Sequence, residues 1–107
     1  MERALHPDVV FRSPAVFTPY EGRENVMRLL ATVLEVFEDF EYTDELAGSG
    51  THALVFRARV GEKTVEGLDH LTVDSDGLVT QLVVMVRPLS GLVALAQEMG
   101  ARLQASA

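Results

Sequence analysis

A chain of 107 residues without cysteine fits one domain, 1–107, and has no disulfide, thiolate metal site or cysteine nucleophile to draw on. Sixteen acidic against nine basic side chains leave a net charge of −7, which argues against nucleic-acid partners and against anionic membranes. No apolar run approaches the ~20 residues of a membrane span, and Met1-Glu2-Arg3-Ala4-Leu5-His6 lacks a secretory leader's apolar stretch, so a cytoplasmic location is expected.

Met1–His6 reads as the end of a helix stopped by Pro7. Val9–Ser13 reads as a short strand, and Pro14–Gly22, with Pro19 inside it, as a loop or turn. A helix is predicted from Arg23 to Phe37, because Val26, Leu29, Leu30, Val33 and Phe37 fall on one stripe. Glu24 suits the positive end of its dipole.

Four strands follow. Phe40–Leu46 alternates so that Phe40, Tyr42 and Asp44 share a face. After the Gly48-Ser49-Gly50 turn, His52–Val60 sets Leu54, Phe56 and Ala58 against Val55, Arg57 and Arg59. Gly61-Glu62-Lys63 is a hairpin signal, Val65–Val73 the third strand, and Asp74-Ser75-Asp76-Gly77 a turn. The last strand, Leu78–Arg87, is apolar on both faces: Leu82, Val84 and Val86 on one, Val79, Val83 and Met85 on the other. Such a strand should be covered on both sides, with a second copy of the chain the candidate cover for one of them. Ser90 is the expected N-cap of a final helix whose stripe is Leu92, Leu95, Ala96, Met99 and Leu103.

The chemistry points to Asp69. It shares a strand face with Val65, Gly67, Leu71 and Val73 and is the polar group on that face. A carboxylate there must find a partner, stay wet or take up a proton. Two roles fit: a pocket acid that contacts a ligand, or a structural carboxylate held by a nearby side chain. Tyr42 and Asp44 are the additional pocket polars if their shared face turns inward, and Tyr42 is equally a core ring with its hydroxyl at the rim. His70 should face the opposite way from Asp69, toward an interface. The three histidines show no metal-ligand spacing, so neither a metal nor another cofactor is expected.

The order of elements resembles the nuclear transport factor 2-like superfamily, and especially its SnoaL-like branch. The resemblance rests on His6-Pro7-Asp8-Val9-Val10-Phe11, Tyr20-Glu21-Gly22-Arg23-Glu24-Asn25-Val26 and Val65-Glu66-Gly67-Leu68-Asp69-His70-Leu71, continuing through Asp76-Gly77-Leu78-Val79. It covers roughly Leu5 to Leu89. It implies an α+β cone, a curved antiparallel sheet wrapped around a helix. The chain departs from the family in that the N-terminal helix is largely missing, so that the mouth is open, is closed by a helix from elsewhere, or is covered by the C-terminal helix, which is the favoured lid because its apolar stripe needs a surface. The resemblance also implies a homodimer through the outer sheet face. Asp69, Phe11, Phe56, Leu82, Val84 and Val86 would then line an apolar pocket for a small apolar molecule.

Reaction type does not follow from fold. Asp69 resembles the oxyanion-hole aspartic acid of ketosteroid isomerases, a known case of a carboxylic acid kept neutral by an apolar site. Ser13 stands where that family has its catalytic base, and a serine cannot take that role unaided. Val84 stands where limonene epoxide hydrolases carry a carboxylate. The expected function is small-molecule binding around Asp69. The alternative is an enzyme with acid–base isomerase, cyclase or dehydratase chemistry in which Asp69 is catalytic.

Overall fold

Pro7 does not end a helix; it lies inside a strand. The computed structural model describes residues 4–105, and residues 1–3 of the expected helix end lie outside them. Leu5 and His6 belong to β1 (Leu5–Arg12). Leu5 stands opposite Val79 and Val10 opposite Gln81, so five steps on one strand match two on the other. The surplus bulges out, and the Asp8 N–H donates to His6 Nδ1 at 2.9 Å. A bulge asks for no ladder bond from proline, which is why Pro7 is tolerated there.

The chain continues through β2 (Tyr20–Glu21), α1 (Arg23–Val36), β3 (Glu38–Ala47), β4 (Thr51–Val60), β5 (Lys63–Val73), β6 (Val79–Arg87) and α2 (Leu89–Ala105). The strands form one curved, unclosed sheet in the order β2-β1-β6-β5-β4-β3. Neighbours are antiparallel except β1 and β6, which run parallel, with α1 and four strands between them in the chain.

Helix α1 starts at Gly22, whose φ of 92° is open to glycine and strained for other residues. Its inner stripe buries Val26, Leu29 and Val36, while Phe37 is already extended. One core cluster joins Val26 and Leu29 to Leu5, Val9, Phe11, Val79 and Leu82. A second joins Val36 to Ala58, Val60, Val65 and Leu95. Met99 of α2 packs against both clusters, so α2 ties the two halves of the core together. Its approach is close because Gly91 is buried against the Val65 side chain.

Two bulges change which way side chains point. In β6, Val73 pairs with Val79 while Thr72 pairs with Gln81, leaving Thr80 as the extra residue. Val79 therefore turns into the core with Leu82 instead of joining Val83 and Met85 outside. In β3, Tyr42 pairs with Phe56 but Asp44 pairs with Val55, which separates the two residues that simple alternation puts on one face. The Asp74–Gly77 turn is held as the sequence suggests: Asp74 Oδ1 accepts the N–H groups of Asp76 and Leu78, each at 2.9 Å.

Candidate functional site

The ladder of pairs builds the inner face as a grid, because directly opposed residues share a face. One rung is Tyr42–Phe56–Gly67–Val86. The next is Glu45–Leu54–Asp69–Val84, and the next Ala47–His52–Leu71–Leu82, ending on Phe11 of β1. Asp69 thus stands mid-sheet, with Leu54 and Val84 beside it and Gly67 and Leu71 above and below. His70 and Val83 lie on the outer face.

Tyr42 reaches over β4 to Asp69, its hydroxyl donating to Oδ2 at 3.5 Å. That is a long contact, at the limit of a useful hydrogen bond. The Tyr42 ring is fixed edge-on to Phe40, centroids 5.0 Å apart, and Phe40 stacks on Phe56 at 5.1 Å. Phe37 completes the cluster at 5.7 Å from Phe40 and 5.5 Å from Phe56. This apolar surround desolvates Asp69 and pushes its carboxyl up to about 6, with the Tyr42 hydrogen bond pulling the other way. Tyr42 is also raised, first by burial and then by the nearby Asp69 charge.

Asp69 is half-buried, not sealed in, and Tyr42 beside it is 53% exposed. The site is an open face of the curved sheet. The two concavities described by the structure, of about 470 Å³ beside Gly22–Asn25 and about 320 Å³ beside Arg57, Glu66 and Arg87, lie away from it. Phe11, Phe56 and Leu82 are buried in the core; Val84 and Val86 are half-buried next to Asp69 and Gly67. Asp44 sits level with Val55 on the outer face, where its Oδ1 accepts the Glu45 N–H. Ser13 lies just past the end of β1, and its Oγ accepts the Ala15 N–H at 3.0 Å. Among the described residues no three His, Asp or Glu side chains are grouped to hold a metal ion, and no helix is long and apolar enough to cross a membrane.

The grid adds His52 to the inner face. Its alternation with Leu54 and Phe56 is visible in the sequence, although the residue reads there only as the start of a strand. The Phe37–Phe40–Phe56 cluster had no such signal, since it joins a helix end to two strands.

A family model described as a SnoaL-like domain matches residues 1–82. The chain belongs to the SnoaL-like family. A steroid delta-isomerase from Pseudomonas aeruginosa is similar, with 50% identity and a TM-score of 0.96 over 98% of this chain and 78% of that one. An uncharacterised bacterial protein with a cystatin-like fold from Silicibacter pomeroyi shares 32% identity at a TM-score of 0.94, covering 96% and 73%. An NTF2-like protein of unknown function from Mesorhizobium loti shares the fold at 13% identity, with a TM-score of 0.72 over 81% and 75%. No curated protein matches the chain.

Proposed function

We propose that this SnoaL-like chain binds a small, largely apolar carbonyl or hydroxyl compound on its concave face, with Asp69 and Tyr42 holding the ligand oxygen. The observation that carries this is the 3.5 Å Tyr42–Asp69 contact in aromatic and aliphatic surroundings. A gap that long is replaced favourably by a ligand oxygen hydrogen-bonded to both groups. Oδ1 of Asp69 has no hydrogen-bond partner among the described residues, so it is free to carry a proton and donate it. A neutral ligand suits the site better than an anion, because the net charge of −7 repels negative groups.

A second reading is enzymatic: acid–base isomerisation, cyclisation or dehydration of the same kind of compound. It is favoured by the 50% identity to a protein described as a steroid delta-isomerase. In either reading the chain pairs as a homodimer through the outer face, where Val83 and Met85 lie beside His70 and Leu68.

The test uses a 4-ene-3-keto steroid as probe, followed by NMR of labelled protein. Saturable shifts of the Asp69 carboxyl and Tyr42 ring signals, lost when the ketone is removed from the probe, are expected. Shifts absent from both residues would overturn the binding reading.

A further inference from the structure

One rung of the outer sheet face carries a charge pattern that is complementary to itself. Glu41 on β3 pairs with Arg57 on β4, Arg57 with Glu66 on β5, and Glu66 with Arg87 on β6. Acid, base, acid and base thus stand in a row across four strands, and all four side chains are exposed. Arg87 binds Glu66 at 2.6 Å. Glu41 and Arg57 make no hydrogen bond or ion pair among the described residues. The concavity of about 320 Å³ opens beside Arg57, Glu66 and Arg87. On one side of this rung the outer face turns apolar. Val55, Leu68 and Met85 form the next rung, and Ala53, His70 and Val83 the one after it. Met85 is 56% exposed, and Leu46, opposite Ala53 at the sheet border, is 54% exposed.

We infer that two copies of the chain pair with their two-fold axis running along the strands between β4 and β5, so that Arg57 meets the partner's Glu66 and Arg87 the partner's Glu41. This rests on the outer-face pairing proposed above and specifies what selects the partner. Sheets packed face to face keep their strands within about 30° of each other. A two-fold axis lying between them then runs either along the strands or across them. An axis along the strands reverses the strand order, laying β4 on the partner's β5 and β3 on the partner's β6. Reversing acid–base–acid–base sets every charge against its opposite, and the symmetry repeats each contact. Moved onto β5, the same axis would set Arg57 against the partner's Arg87. Turned across the strands at this rung, it would set each charge against its own copy. Like charges facing each other are what an interface is arranged to avoid. The axis between β4 and β5 also lays Val55 on the partner's Leu68 and Leu46 on the partner's Val83. Met85 falls over the partner's Asp44 at the sheet border, where the carboxylate stays in water.

The experiment mixes charge-reversed variants. Arg57→Glu and Glu66→Arg are weighed by sedimentation and native mass spectrometry at low micromolar concentration, each alone and in equal mixture, with thermal unfolding to confirm the fold. In either variant alone, like charges face each other twice, and the dimer dissociation constant should rise on the order of 100-fold. In the mixture the two reversed charges face each other and the remaining pair is unchanged. A dimer of mixed mass should therefore form within a few-fold of wild-type affinity. A wild-type dimer that neither variant weakens, or a mixture without excess of the mixed dimer, overturns this register and leaves the outer-face pairing standing. A monomeric wild type overturns both. If a reversed charge unfolds the chain, Arg57→Gln and Glu66→Gln read the same contacts. Each alone should weaken the dimer about tenfold, and their mixed dimer, which keeps one intact pair, should exceed the statistical half; a statistical mixture overturns the register.

Discussion

The ring of Phe56 lies across Gly67, its partner on β5, so closely that a Cβ at Gly67 would strike the ring edge. The ring has little room to retreat, being packed against Phe37 and Phe40, and the Met85 carbonyl crowds the same spot at 2.8 Å. Gly67→Ala should therefore cost about 1–3 kcal/mol, the range for overpacking a core. Thermal unfolding reads it directly; an unchanged midpoint would mean the ring shifts freely.

Asp69 should make stability fall with pH over a defined window. Its folded value of about 6 lies above the ordinary aspartate value of 3.8, so the folded state binds the proton more tightly. That contribution is full below the unfolded value, shrinks between the two, and is absent above about 6. With the site half-open to water, the span is on the order of 2 kcal/mol. The stability of Asp69→Asn minus that of the wild type should rise from pH 4 to pH 6 and then level off, which cancels the surface carboxylates common to both. A flat difference would contradict the raised value.

Removing the Tyr42 hydroxyl should push Asp69 higher still. The hydrogen bond from Tyr42 favours the charged carboxylate and opposes the effect of burial. Tyr42→Phe keeps the ring against Phe40 and deletes the donor. The Asp69 carboxyl, followed by carbon-detected NMR titration, should titrate above its wild-type midpoint; a downward shift would show that the hydroxyl does not donate to it.

Docking of α2 depends on the bare backbone at Gly91. A Cβ there would run into Val65, which is fully buried. Gly91→Ala should lower stability by about 1–3 kcal/mol. Removal of the chain after Ser90 should cost more, because buried Leu95 and half-buried Met99 each contribute roughly 1.5–3 kcal/mol at full burial. Denaturant midpoints of the two variants test the order.

A charge on the outer face should separate the proposed dimer. Val83 lies beside His70 there, and a two-fold contact repeats any change. Val83→Glu should sediment as a monomer at micromolar concentration, where the wild type is expected to sediment as a dimer. A monomeric wild type would remove the outer face as an interface.

Periodicity made most elements legible. The α1 stripe, the two glycine hairpins, the Asp74 turn and the inward set Leu82, Val84 and Val86 all follow from spacing. Parity arguments fail at bulges: one extra residue reverses every side chain beyond it, and neither Thr80 nor the stretch between Tyr42 and Asp44 has a composition that announces it. Pro7 was misleading for the same reason, since an irregular strand admits what a regular one excludes. Asp69 stands out because a charge among aliphatics is a local signal. Its partner Tyr42, two strands away in the sheet, is fixed only by the register.

Strand β3 ends the sheet, and half of its ten residues are acids: Glu38, Asp39, Glu41, Asp44 and Glu45. Arg59 neutralises Glu38 and Asp39 at 2.9 and 3.0 Å. The other three crowd the border where β3 shifts register. A strand from another molecule trying to extend the sheet would meet like charge and a broken ladder together. The border is thus guarded against runaway edge-to-edge polymerisation.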